Sequence, residues 1–155
     1  MKAIKIPVLA IMVLGATSFA AAKDLAVVAN KLTIVGSITQ AELVKICKGQ
    51  GERWPDGKPV VFITRSPALP EMKLLLDKVY GMTKEDVMTL IASANRGRSH
   101  PSIVIVDTDE ELVKRVESTP GAVGLVDVYS INGGVNVLKV GGKLPLEPGY
   151  ALHGN

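Results

Sequence analysis

Apolar positions along this chain fall into blocks of two kinds. Nearly continuous blocks stand at 24–30 (DLAVVAN), 60–63 (VVFI), 103–106 (IVIV), 122–128 and 135–140. Short apolar runs bounded by turn formers predict strands, a buried one at 24–30 and one covered on both faces at 60–63. Between them, apolar residues recur at intervals of three and four. Leu43, Ile46 and Cys47 form one such set, and Met72, Leu75, Leu76 and Val79 a second. Val87, Leu90, Ile91 and Ala94 form a third, and Leu112, Val113 and Val116 a fourth. Each set predicts a helix with one apolar face.

The polar residues around these blocks supply starts and stops. Thr39 with Glu42, and Thr108 with Glu111, match the Thr-x-x-Glu capping box, in which hydroxyl and carboxylate satisfy orphan amides at a helix start. Thr83 with Asp86 opens another helix. Gly49 with Gly51, Gly81, and Pro120-Gly121 end helices. Pro55-Asp56-Gly57 and Asn132-Gly133-Gly134 read as turns. Residues 31–37 and 96–101 read as loops, and the Gly/Pro-rich tail after Gly141 as extended chain. Strands alternating with helices predict a layered α/β domain with a mostly parallel sheet and crossover helices.

The first 22 residues stand apart. Lys2 and Lys5 precede an apolar run over 6–16, and Ala20-Ala21-Ala22 follows, the layout of a secretory signal peptide cleaved before Lys23. The run falls short of the roughly 20 residues of a membrane span. The predicted organisation is a signal peptide over 1–22 and one domain over 23–155, exported to the periplasm or beyond. Losing the two leader lysines takes the formal charge from +3 to +1, so the basic balance is no footprint for nucleic acid or anionic lipid.

Candidate chemistry is sparse. Cys47 is the single cysteine and lies on an apolar helix face, where it reads as a small buried hydrophobe. The histidines, His100 and His153, stand in no catalytic or metal-ligand spacing. There is no nucleophile–base arrangement, phosphate loop or dinucleotide fingerprint, so no catalytic residues, metal or cofactor are assigned. Trp54, in a loop between Pro and Gly, reads as packing over the domain edge, with a stacking platform as the alternative. Asp107, Asp109, Glu110 and Glu111 read as the favourable acidic start of a helix.

The order of parts from Thr39 to Ser66 resembles the phosphate-binding periplasmic proteins of ABC transporters. Their pattern is a helix ending in Ile-Phe-x-Gly-Lys, a Trp followed by Asp and Gly, then a strand ending in Arg-Ser. This chain has Ile46-Cys47-Lys48-Gly49-Gln50, Trp54-Pro55-Asp56-Gly57 and Arg65-Ser66. Downstream, Val116-Glu117-Ser118-Thr119-Pro120-Gly121-Ala122-Val123-Gly124 is similar to that family's Val-x-x-Thr-Pro-Gly-Ala-Ile-Gly-Tyr. The resemblance implies a single three-layer α/β lobe of a type 2 periplasmic binding protein, a mostly parallel sheet with flanking helices. It further implies a non-enzymatic, solute-binding-like role toward phosphate or a related oxyanion, with a membrane permease or sensor as partner. A second copy of the chain is the other implied partner.

The candidate ligand site is Thr64, Arg65 and Ser66, where a strand end feeding a helix start would offer backbone amides and a guanidinium to an oxyanion. The family follows Arg-Ser with Asp and a Gly-Ser-Gly-Thr run. This chain has Pro67-Ala68-Leu69-Pro70, without those hydroxyls and with two prolines that lack amide donors. Weak oxyanion binding and a solvated loop arginine both remain open on these residues. The cluster Arg96, Arg98, Ser99 and His100 is the second candidate, as a lining of the same cleft edge or as a solvated loop. The alternative function is an envelope interaction or sensing module that has lost its ligand.

Overall fold

A computed structural model describes residues 23–154. The predicted signal peptide lies outside them. Six strands form one sheet in the order β2-β6-β1-β5-β3-β4. They are β1 (Leu25–Asn30), β2 (Ser37–Ile38), β3 (Val61–Arg65), β4 (Ile103–Val106), β5 (Ala122–Asp127) and β6 (Val135–Val140). Three of the five pairings are parallel. The two antiparallel ones both involve β1, which runs against five strands that share one direction. The predicted mostly parallel α/β sheet is present.

The helices lie where the apolar spacing places them: α1 (Gln40–Cys47), α3 (Lys84–Asn95) and α4 (Asp109–Ser118). The stretch predicted as one helix from Pro70 to Tyr80 is helical but irregular. It passes from a 3₁₀ turn (Pro70–Met72) through α2 (Lys73–Leu75) to a π-helical turn (Leu76–Tyr80) and ends on Gly81 at φ 60°.

Because successive strand side chains point to opposite faces, β1 divides between two cores. Leu25, Val27 and Ala29 join the core under α1, α2 and α3, with Leu43, Phe62, Leu75 and Val87. Val28 joins the core under α4, with Ile63, Leu112, Val113 and Val116. Helices on both faces of one sheet make the three layers. Cys47 is fully buried in the first core, and burial pushes its thiol well above the ordinary range, so it packs as a hydrophobe.

At Thr39 the capping box is complete: its hydroxyl accepts from the Glu42 amide at 3.1 Å, and the Glu42 carboxylate accepts from the Thr39 amide at 2.7 Å. At Thr108 only half of it forms. The hydroxyl accepts from the Glu111 amide at 3.1 Å, but the Glu111 carboxylate accepts from the Asp107 amide, one residue early, at 3.4 Å. Two further expectations are corrected. Residues 31–37 are not all loop, since Ser37–Ile38 pair with the end of β6. The tail after Gly141 is not extended. It is a chain of turns that buries Tyr150 and Leu152 against β1, with the Leu25 amide donating to the Leu152 carbonyl at 3.1 Å. Burial of these two side chains, with the Tyr150 hydroxyl donating to the Leu25 carbonyl at 2.7 Å, helps to hold the Gly/Pro-rich segment against the core.

The two sequence motifs meet in space. The Trp54 indole donates to the Gly121 carbonyl at 2.9 Å, and the Val61 amide donates to the same oxygen at 3.2 Å. Trp54 is buried, as an edge-packing residue. Gly121 has φ 83°, and a Cβ there would lie 2.1 Å from the Pro59 carbonyl oxygen. Gly121→Ala is therefore expected to cost about 3 kcal/mol or more, combining left-handed strain with a backbone clash. Trp54→Phe removes one hydrogen bond and part of a buried ring, leaves the Gly121 carbonyl its Val61 donor, and should cost less, about 1–2 kcal/mol. Urea unfolding of both variants measures the difference, and equal costs would contradict this account.

Candidate functional site

Five strands share a direction, so their carboxyl ends line one edge of the sheet, the usual place for a ligand in an open α/β fold. An open cleft of about 690 Å³ lies there. Arg65, the last residue of β3, reaches into it beside Glu71 and Asp109. Since β1 is reversed, its start lies at the same edge, and Lys23 and Leu25 line the opposite wall with Asp127.

Arg65 is held by acidic neighbours. Its Nη1 lies 3.4 Å from Glu71 Oε1 and 3.6 Å from Asp109 Oδ1, and Nη2 donates to the Asp107 carbonyl at 3.1 Å. These ion-pair distances exceed the about 2.7–2.9 Å of well-formed charge-assisted hydrogen bonds. The buried Nε has no hydrogen-bond partner among the described residues. Two carboxylates thus face one guanidinium, Nη2 is hydrogen-bonded to a backbone carbonyl, and Nε alone lacks a partner among the described residues. Four carboxylates (Glu71, Asp77, Asp109 and Asp127) and three cations (Lys23, Arg65 and Lys73) line the cleft.

Of the predicted trio, Arg65 alone lines the cleft. Thr64 is fully buried and its hydroxyl donates to the Arg65 carbonyl at 3.0 Å. The Ser66 hydroxyl accepts from the Ala68 amide at 3.3 Å, closing a turn. The strand does not feed a helix directly. The turn intervenes, and the 3₁₀ segment that follows has Leu69 at its N-cap and Pro70 in its first turn, with no side-chain cap. The prolines at 67 and 70 have no amide hydrogen, and the Ala68 and Leu69 amides both bond back to Ser66 within the turn, so these four residues offer no free amide to a ligand.

Arg96, Arg98 and Ser99 do not join Arg65. They precede β4, and parallel pairing sets Phe62 opposite Ile103 and Arg65 opposite Val106. The loop at 96–101 thus lies at the amino end of the strands, three residues or about 10 Å of strand away from the Arg65 end. All three side chains are exposed there, and so is His100. A loop that enters a parallel strand cannot share the edge formed by loops that leave it.

The residues missed by sequence reasoning are those that β1 and α4 bring in. Asp109 stands in the acidic first turn of α4, as read, and also reaches Arg65. Lys23 pairs with Asp127 at 3.3 Å and lies 5.6 Å from the ring centre of Tyr129. Asp24 opens an apolar strand, and a charged residue in that position was the available signal. It is buried and clamps the tail: it accepts from the Leu146 amide at 2.8 Å and the Gly154 amide at 3.2 Å, with His153 Nδ1 2.7 Å away. Burial alone would raise the Asp24 carboxyl, but the two amides and the His153 ring together hold it below the usual carboxylate range.

Comparison with solved structures places this architecture. The chain is similar to an ABC-type phosphate transport receptor from Vibrio cholerae, with 20% identity and a TM-score of 0.65 over 81% of this chain and 49% of that one. It is also similar to PstS from Borrelia burgdorferi, with 20% identity and a TM-score of 0.67 over 87% and 56% of the two chains. A phosphate binding protein from Stenotrophomonas maltophilia aligns at 16% identity and a TM-score of 0.62, over 81% and 41%. The chain thus spans about half the length of the solved chains it matches. No family model and no curated protein matches it. Over about half of their length, those solved chains share the fold of this one.

The Asp24 clamp carries its own test. A carboxyl whose folded value is lowered stabilises the fold above the unfolded value, about 3.9, and loses that contribution as pH falls through the folded one. Asp24→Asn should cost about 2 kcal/mol at pH 7, the scale of hydrogen bonds to a buried charge. It should also remove part of the stability lost below about pH 4. Thermal unfolding between acid and neutral pH reads both effects.

Proposed function

We propose that this chain is a periplasmic, non-enzymatic solute-binding protein that takes phosphate or a related oxyanion weakly, in connection with ABC-type phosphate transport. The observation that carries this reading is Arg65, a guanidinium in the cleft at the strands' carboxyl ends whose ion pairs to Glu71 and Asp109 are long and whose buried Nε has no partner among the described residues. Fold likeness to proteins named for phosphate transport supports it. No helix among the described residues is long and apolar enough to cross a membrane.

The neighbours of Arg65 shape the expected ligand. Glu71 and Asp109 are hydrogen-bond acceptors only, and they repel a fully ionised anion. Phosphate at neutral pH keeps a hydroxyl that can donate to one of them while its other oxygens accept from Arg65. Sulfate has no such proton. The site should therefore prefer phosphate and arsenate to sulfate. Weakness follows from the carboxylate excess and from the missing amides at Pro67 and Pro70. The same features favour the second reading, an envelope interaction or sensing module without a ligand.

Heating the purified protein with and without each oxyanion separates the readings. Free ligand at about 100 times its dissociation constant adds about 2.7 kcal/mol, or roughly 8 °C for a domain of this size. Phosphate and arsenate should raise the melting temperature at millimolar concentration, sulfate less, and Arg65→Ala should abolish the rise. No rise with any of them would leave the module reading standing.

A further inference from the structure

We propose that Asn132-Gly133, in the turn before β6, is a site of spontaneous covalent modification. The Asn132 side chain cyclises to an imide, which water opens to aspartate and isoaspartate. The inference stands apart from the phosphate reading and does not depend on it. The chemistry sets three requirements. The side chain has to fold back along its own main chain, so that Cγ approaches the next amide nitrogen. That nitrogen has to be free to lose its proton. The following residue has to leave room for a five-membered ring, and glycine, with no Cβ, leaves the most. Asn132 is the asparagine that a glycine follows, whereas Asn30, Asn95 and Asn136 precede Lys31, Arg96 and Val137.

The structure meets each requirement at this turn. Asn132 Oδ1 accepts from the Gly134 amide at 2.8 Å, so the side chain curls back over the Gly133 peptide. The same bond polarises the carbonyl that is to be attacked. The Gly133 amide has no hydrogen-bond partner among the described residues. Asn132 and Gly133 are both exposed, so solvent reaches the reacting atoms. The space around Gly133 is open, since a Cβ built there would meet nothing within 4 Å. The other asparagines are held differently. Asn30 is buried and donates to the Val116 and Glu117 carbonyls. Asn95 accepts from the Ser102 and Ile103 amides, and Asn136 is fixed within β6 opposite Ala29.

The step balances without an oxidant or a cofactor. The Gly133 nitrogen gives its proton to solvent, and its electron pair forms a bond to Asn132 Cγ. The bond from Cγ to Nδ2 breaks, and the leaving nitrogen takes up protons and departs as ammonia. Water then cleaves one of the two bonds to the imide nitrogen. Cleavage at Cγ restores the ordinary chain with aspartate, and cleavage at the main-chain carbonyl carbon leaves the chain running through the side chain as isoaspartate. Either product adds one carboxylate. The Glu117 carboxyl packs against Gly134, where a Cβ would lie 2.5 Å from its Cδ. A carboxylate held by the Gly134 amide would therefore stand close to a like charge, which disfavours the folded turn. Isoaspartate also lengthens the main chain directly ahead of β6.

The test is to keep the purified protein folded in mildly alkaline buffer and follow its peptides by mass spectrometry, with isoaspartate read by enzymatic methylation. The peptide holding Asn132 should exchange amide for acid and acquire isoaspartate, while those holding Asn30, Asn95 and Asn136 stay unchanged. The converted protein should melt below the parent. Asn132→Gln should lose the conversion entirely, because its longer side chain would have to close a larger ring. Gly133→Ala should lose most of it, and should fold like the parent because Gly133 has open space and no positive φ. The same protein unfolded in urea is the comparison for the turn. Conversion in the folded chain at least as fast as in the unfolded one supports the geometry. No conversion at Asn132, equal conversion in Gly133→Ala, or faster conversion once the chain is unfolded would overturn the proposal.

Discussion

The reversal of β1 is the constraint on which the rest of the molecule depends. β1 lies in the middle of the sheet, pairs antiparallel on both sides, and is buried along its whole length. Its start therefore falls among the carboxyl ends of the other strands. That placement puts Lys23 and Leu25 into the cleft wall, and it sets Asp24 where the tail can fold back onto it. Were β1 parallel to its neighbours, the same three residues would lie at the far edge, and the cleft would lose one wall. The tail would lose its clamp as well. The fold and the site are thus joined through the direction of one strand, not through any shared chemistry.

Electrostatics at the cleft arise from a second shared use. An acidic first turn stabilises α4, because carboxylates at a helix start meet unpaired amides and the positive end of the helix dipole. Asp109 belongs to that turn and also faces Arg65. What favours the helix therefore neutralises the guanidinium. Glu71 adds to this from the irregular segment after β3. An anion entering the cleft has to compete with carboxylates that are already present, and the amides that would reward it are missing at Pro67 and Pro70. The arrangement selects for a ligand, or a partner surface, that brings hydrogen-bond donors or cations along with its negative charge.

Much of this was legible from local rules. The box at Thr39, the apolar stripes of α1, α3 and α4, and the buried strands followed from spacing alone, since each is decided by neighbours within a few residues. The irregular turns over 70–80 share the apolar spacing of a helix, and periodicity does not distinguish α from π geometry. The direction of β1 was not legible, because apolar runs carry no sign of orientation. The misplacement of Arg96, Arg98 and Ser99 has another source: β4 runs parallel to β3, so a loop entering it belongs to the other edge, which the expected parallel sheet already implies. Asp24 and Asp109 escaped because their partners are distant in sequence. The turn-rich tail was misread because composition describes local freedom, and the burial of Tyr150 and Leu152 is a tertiary event.

The residues that carry the family resemblance are mostly those that build the framework. Trp54 and Gly121 come from separate motifs and meet in one hydrogen bond, and the Val61 amide joins them on the same oxygen. A side chain at Gly121 would strike the Pro59 carbonyl. These are demands of strand and loop packing, and any chain with this fold would face them whether or not it held a ligand. The departures fall elsewhere, at 67–70, directly after Arg65. Likeness in the framework therefore says little about ligand strength, and the departures say more. Selection by the cleft has to be read from Arg65, Glu71 and Asp109, whose distances depend on tertiary placement and on no motif.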